Sequence, residues 1–125
     1  MKENEIATVL VNIFLQVHKE LGPGLLESIY EAAICYELDR TPYNYWRQKN
    51  INVRYKDSIL EMGFRADIIV ENKVIVEIKS LESLAPVHHK ILLSYLKLTD
   101  LKLGLLVNFN VNLIKDGISR LVNNL

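Results

Sequence analysis

Asp67, Glu77 and Lys79 stand inside FRADIIVENKVIVEIKS (residues 64–80), a stretch otherwise built as two apolar strands around a short polar turn. Strand side chains alternate between faces, so Arg65, Asp67 and Ile69 are expected on one face and Ala66, Ile68 and Val70 on the other. On the second strand Ile75, Glu77 and Lys79 share a face, while Val74, Val76 and Ile78 line its opposite. A three-residue loop, Glu71–Asn72–Lys73, sets Val70 against Val74, Ile69 against Ile75, Asp67 against Glu77 and Arg65 against Lys79. Loops of two or four residues would set Asp67 opposite the apolar face, which the pattern rejects. Like charges directly opposite each other destabilise a strand pair. A proton, the Lys79 ammonium or a divalent cation must therefore offset the repulsion. Two carboxylates are hard oxygen ligands that suit Mg²⁺ or Mn²⁺, with water and substrate phosphate completing the shell. Lys79, one strand step beyond Glu77, would then meet a negatively charged substrate. The alternative is a solvated face on which Lys79 simply neutralises its neighbours.

The elements that must hold these residues are legible as periodicities. Ile6, Val9, Leu10, Ile13, Phe14 and Val17 recur at helical spacing and predict a helix ending near LGPG. LLESIYEAAICYELD (residues 25–39) predicts a second helix, and RQKNINVRYK (47–56) a half-buried strand alternating Ile51, Val53 and Tyr55. Strands follow at 59–70 and 73–80. Pro86 opens a helix carrying Val87, Ile91, Leu92, Tyr95 and Leu96, since proline at the first helical position costs no hydrogen bond. LKLGLLVNF predicts a buried strand, and NLIKDGISRLV a closing hairpin or short helix. The order α-α-β-β-β-α-β is that of an α/β domain with a mixed sheet and helices against it.

Composition narrows the class. A chain of 125 residues with 50% hydrophobic and 24% charged residues is expected to fold as a single domain over residues 1–125, with a substantial core. Cys35 is the only cysteine, which excludes an internal disulfide and a cysteine-based metal cage. No apolar run reaches the roughly 18 residues of a membrane helix, and MKENEIATVL lacks the apolar centre of a signal peptide. A cytoplasmic protein with no membrane partner is the expectation. The sequence sets no oligomeric state, and a homodimer is compatible with it.

Residues 40–56 carry Arg40, Arg47, Lys49, Arg54 and Lys56 with no acidic residue, interleaved with Tyr43, Tyr45, Trp46 and Tyr55. Basic groups attract phosphate and exposed aromatic faces stack on unpaired bases, so Arg47, Lys49 and Arg54 are candidate nucleic-acid contacts. The competing reading is an edge strand whose charges block edge-to-edge pairing, with Trp46 a core anchor. Net charge is zero, so any such binding should be modest and sensitive to salt.

D-x(9)-E-I-K on a β-hairpin between helices resembles the PD-(D/E)XK nuclease-like superfamily, with its restriction-endonuclease-like core. GLLESIY, which supplies Gly24, Glu27 and Tyr30 after VHKELGP, is similar to the small GxxExxY family within it. RQKNINVRYK, ADIIVENKVIVEIKS, LAPVHHKILLSYLKLTDLKLGLLVNFN and LIKDGISRLV follow in that family's order, so the resemblance spans nearly the whole chain. It implies a metal-dependent nuclease acting on DNA, less readily RNA, with Mg²⁺ or Mn²⁺. Asp67, Glu77 and the backbone carbonyl of Ile78 would hold the metal. Lys79 would orient the attacking water or stabilise the transition state, and Glu27 would complete the metal site from its helix. Glu27 also lines up with Ile34 and Leu38 at the edge of that helix's apolar arc. Gly24 and Tyr30 read as a turn and a packing anchor. His88 occupies the family's usual histidine position, where it is either a polar site residue in contact with substrate or a hydrogen-bonded core histidine. His89 is expected at the surface, and His18 at the flank of the first helix's stripe. One departure stands out: HHKILL has Ile91 where the family usually has Gln. That loss points to the alternative function, a nuclease-fold module with weak or no catalysis that binds nucleic acid or regulates.

Overall fold

A computed structural model describes residues 2–125, apart from the side chain of Met62. Helices α1 (Lys2–Leu21) and α2 (Glu27–Leu38) precede strands β1 (Tyr45–Tyr55), β2 (Ser58–Val70) and β3 (Val74–Lys79). Helix α3 (Pro86–Thr99), strand β4 (Leu103–Asn108), a 3₁₀ turn (Ile114–Gly117) and strand β5 (Ile118–Val122) complete the chain. The five strands form one sheet in the order β1-β2-β3-β4-β5. Only β3 and β4 run parallel, joined by the α3 crossover; the other pairs are antiparallel. The expected mixed α/β architecture is observed, with β5 as the closing element. Among the described residues no helix is long and apolar enough to cross a membrane.

The sheet is covered on both faces, which is why β3 and β4 are almost wholly buried. Ile68, Val70, Val74, Val76, Ile78, Leu103, Leu105 and Val107 pack beneath α1 and α2, whose contribution includes Leu10, Phe14, Tyr30 and Ile34. Ile69, Ile75 and Leu106 pack on the other face against Leu92 and Leu96 of α3. Of the apolar residues α3 carries, Val87 and Ile91 are half exposed, because the helix buries a narrow stripe and turns these two toward a cleft and solvent.

Strict alternation fails at one place, and the failure shapes the site. Tyr45 packs under α2, yet Ile51, an even number of residues on, packs under α3. Between them Gln48 has a left-handed backbone, φ 52°, which reverses the facing of the strand. The paired strand follows: Phe64 and Ala66 face α3, whereas Ile68 and Val70 face α1 and α2. The expectation that Ala66 shares a face with Ile68 is thereby corrected. Asp67 sits at the crossover.

The link from α1 to α2 is held by Tyr30. Gly22 and Gly24 adopt left-handed φ values of 72° and 93°, and the chain reverses through LGPG. The Tyr30 hydroxyl donates to the Gly22 carbonyl (2.6 Å) and accepts the Leu25 N–H (3.1 Å). Its ring stacks on Phe109 at 4.4 Å, so the turn, α2 and the exit of β4 are clamped together. Both the glycine turn and the tyrosine anchor match the sequence reading. Tyr30→Phe keeps the stacking but strips both backbone groups of their partner. It should lower stability by about 1–3 kcal/mol in urea melts; an unchanged midpoint would show that the clamp is the ring alone.

Candidate active site

The β2–β3 ladder runs through Val70–Val74, Ile69–Ile75 and Ile68–Val76 and then stops. Beyond it β3 keeps its other edge paired with β4, through Lys79 opposite Asn108. Asp67 Oδ2 accepts the Ile78 N–H at 2.8 Å, so a side chain replaces the backbone acceptor where the two strands part. The N–H and C=O of a strand residue leave by the same edge, which opens the Ile78 carbonyl to the same side. The expected three-residue turn sets this register: Glu71 and Asn72 are both left-handed, and the Lys73 N–H closes on the Val70 carbonyl at 2.9 Å.

Asp67, Glu77, Lys79 and Arg65 share a cleft of about 200 Å³ with His88, Ile91 and Tyr95 of α3. The two carboxylates and Lys79 line one cleft, but the expected strand pairings of Asp67 with Glu77 and Arg65 with Lys79 are not made, because the ladder ends at Ile68–Val76. A larger depression of about 780 Å³ lies elsewhere, near the C-terminal end of α1 and against α2; of its two carboxylates Glu20 is exposed and Glu37 only half-buried. Glu77 is only 8% exposed. Burial, then the neighbouring Asp67 carboxylate, push its carboxyl up to about 9, against a lowering by Lys79. Two carboxylates side by side thus keep a proton at neutral pH. Burial, and then Glu77 and Asp67, also raise the Tyr95 hydroxyl, whose ring stacks on Phe64.

Other predicted residues fall at varying distances from this centre. Glu27 is exposed at the first turn of α2, and its carboxylate accepts the Ser80 N–H at 3.3 Å. It stands against the end of β3, one residue past Lys79, while Ser80 Oγ donates to the Leu25 carbonyl at 2.6 Å. Among the described residues no three His, Cys, Asp or Glu side chains gather as a metal cage. The helical-wheel argument for Glu27 in fact fits Glu31, which is 7% exposed among Tyr30, Ile34 and Cys35. Glu31 aligns with Leu38 seven residues on, a signal present in the sequence. Glu31 Oε2 takes the Arg47 Nε at 2.6 Å and its Oε1 takes the Gln48 amide at 2.5 Å. The same Gln48 nitrogen donates to Asp67 Oδ1 at 3.2 Å. That chain was not foreseeable, because its members lie on three elements.

His88 Nδ1 accepts the Ala85 N–H at 2.9 Å, capping α3 and leaving the proton of the neutral ring on Nε2. His89 is half-buried rather than at the surface, hydrogen-bonded to Ser119 Oγ at 3.1 Å, because β5 packs beside α3. His18 is buried against the Val111 carbonyl at 2.8 Å, away from the cleft. Asn108, also buried, brackets Leu81 by accepting its N–H and donating to its carbonyl, each at 3.0 Å, and so holds the chain leaving Lys79. On β1 the basic set divides. Arg47 is engaged by Glu31, while Lys49 lies over Trp46 and Lys56 over Tyr55, each at 5.5 Å. Trp46 and Tyr55 are 42% and 60% exposed, which removes Trp46 from the core; Tyr43 and Tyr45 pack against it instead.

The donor set can be tested against a cation. Asp67 on β2 and Glu77 and the Ile78 carbonyl on β3 are all hard oxygens where the two strands part, and a buried carboxyl retaining its proton beside a carboxylate is a site short of positive charge. These residues fit Mg²⁺ or Mn²⁺, with remaining positions left to water and substrate oxygens.

The chain matches the family model described as PD-(D/E)XK nuclease superfamily over residues 4–121. No curated protein and no solved structure matches it.

The raised Glu77 carboxyl has a consequence for the metal-free protein. Its folded value lies above the ordinary carboxyl value, so its contribution is fully present at acid pH and is lost as pH rises toward about 9. Between pH 5 and 8 the parent should lose on the order of 1 kcal/mol of stability per pH unit from this group. Glu77→Gln, a permanently neutral mimic, should be more stable than the parent at pH 8 and show a flatter profile. Parallel denaturation profiles in chelator would contradict the assignment.

Proposed function

Because the chain belongs to the PD-(D/E)XK nuclease superfamily, we propose that it is a metal-dependent nuclease hydrolysing phosphodiester bonds of DNA, in preference to RNA. The observation that carries the reading is the pairing of half-buried Asp67 with buried Glu77, with Lys79 beside them, at the point where β2 leaves β3. Within the superfamily we place it in the GxxExxY family, on Gly24, Glu27 and Tyr30 and the order of the later blocks.

Asp67, Glu77 and the Ile78 carbonyl would hold Mg²⁺ or Mn²⁺. When bound, the ion supplies a more acidic water and a polarised scissile phosphate. The chain's own groups do the rest. Asp67 is already oriented by the Ile78 N–H, so its carboxylate need not reorganise to receive charge. Glu77, whose carboxyl is held up by burial and by Asp67, would have to be deprotonated to serve as a ligand. The Lys79 ammonium, fixed on a paired strand, stands where negative charge develops on the phosphate. His88, as a neutral ring with its proton on Nε2, can donate into the cleft toward a phosphate oxygen. Glu27, held by the Ser80 N–H one residue past Lys79, does not line the cleft and would act there only through water. Lys49 and Arg54, with exposed Trp46 and Tyr55, offer a flanking surface for the nucleic acid. Arg47 serves the site through Glu31 instead of meeting phosphate.

A second reading has its own support: Ile91 lines the cleft, 42% exposed, at the position where a polar side chain would orient the reacting groups. A module that binds nucleic acid with little catalysis would tolerate that. The experiment that separates the two is cleavage of single-stranded, duplex, branched and RNA substrates with Mg²⁺ or Mn²⁺ and with chelator. Lys79→Ala should lose at least about a hundredfold in rate while still binding Mn²⁺; Glu77→Ala should lose both. Ile91→Gln should raise the rate if the missing amide limits it. A parent that binds Mn²⁺ yet cleaves none of these substrates, without rescue by Ile91→Gln, supports the binding module.

A further inference from the structure

Asp67 is held from two sides, and only one of them is backbone. Oδ2 accepts the Ile78 N–H; Oδ1 accepts the side-chain amide of Gln48, whose same nitrogen also donates to Glu31 Oε1. Both neighbours are carboxyl oxygens, so the amide must present its NH₂ to them and cannot be turned around. We propose that Gln48 is a positioning residue of the site, holding the Asp67 carboxyl group in its cation-receiving orientation, with Glu31 and Arg47 as its anchor. The inference rests on the nuclease reading above.

Three observations converge on it. First, Gln48 carries a left-handed backbone inside a strand, which is uncommon for a residue with a side chain. That conformation lets consecutive residues, Arg47 and Gln48, both reach Glu31, which ordinary alternation forbids. Second, the anchor is rigid: Glu31 is buried on α2 and takes the Arg47 Nε on its second oxygen. Third, the two donors fall on different Asp67 oxygens, the Ile78 N–H on Oδ2 and the Gln48 amide on Oδ1, so the plane of the carboxyl group is fixed from both ends. The α3 wall offers no amide of its own, because Ile91 stands there.

A glutamine placed only to brace the hairpin against α2 would give the same contacts, and Gln48→Gly separates the roles. Glycine takes the left-handed conformation freely and loses only the amide, so the variant should melt within about 4 °C of the parent. Its Kd for Mn²⁺, measured by calorimetric titration, should weaken by about 10–100-fold. In the metal-free protein the Ile78 amide should exchange with solvent at least about tenfold faster, with Val76 unchanged, because Asp67 is no longer held. Gln48→Leu, which keeps side-chain bulk, should show the same Mn²⁺ and Ile78 responses. Parental Mn²⁺ affinity and parental Ile78 exchange in both variants would overturn the proposal, as would a Gln48→Gly protein that melts far below the parent. A parent that binds no Mn²⁺ would sink the nuclease reading alone, and the Ile78 amide would still decide the role of Gln48.

Discussion

One hydrogen bond organises this molecule's cleft: the Ile78 N–H to the Asp67 carboxylate. A strand that leaves its neighbour abandons backbone donors and acceptors, and inside a protein each must find another partner. Asp67 takes the orphaned N–H, which permits β2 to end its ladder with β3 after Ile68–Val76 without leaving that donor unsatisfied. The gap so opened is the cleft. Its carboxylates are near each other because the register before the gap is maintained by apolar pairs on both faces.

The parting of the strands also sets the electrostatics. Glu77 remains on β3, between two paired or packed neighbours, and is buried. Asp67 is turned beside it by the Ile78 bond. Lys79 lowers the cost of charge there but does not cancel the burial of Glu77, which is why the pair retains a proton. A site of this kind has affinity for positive charge built into its fold, and the structural cost is carried by the covered, nearly all-apolar strands β3 and β4.

Support for the site comes from unusual places on the chain. The left-handed residue in β1 turns Arg47 and Gln48 together toward α2, and Asn108 at the end of β4 ties down the chain beyond Lys79. Tyr30 fixes the start of α2, where Glu27 meets Ser80. Each joins elements far apart in sequence.

Local rules made much of this readable in advance. Helical periodicity over α1 and α2, Pro86 at the start of α3, and the unbroken apolar run of β4 specify elements whose existence depends on near neighbours alone. The three-residue turn and the alternation beside it place Ile69 opposite Ile75, because a register shift of one would have buried charge on the apolar face, and so carry Asp67 to the level of Glu77 just past the last ladder pair. Tertiary structure decided what periodicity cannot carry. The reversal at Gln48 moved Ala66 to the α3 side, since a single left-handed residue leaves no mark in a hydrophobic pattern. Burial of Glu31 instead of Glu27, and exposure of Trp46, were set by which faces the helices and sheet present to each other. The Glu31–Gln48–Asp67 chain arises only when α2, β1 and β2 are packed, because hydrogen-bond partners across elements are chosen by distance in space, and sequence separation does not encode that distance.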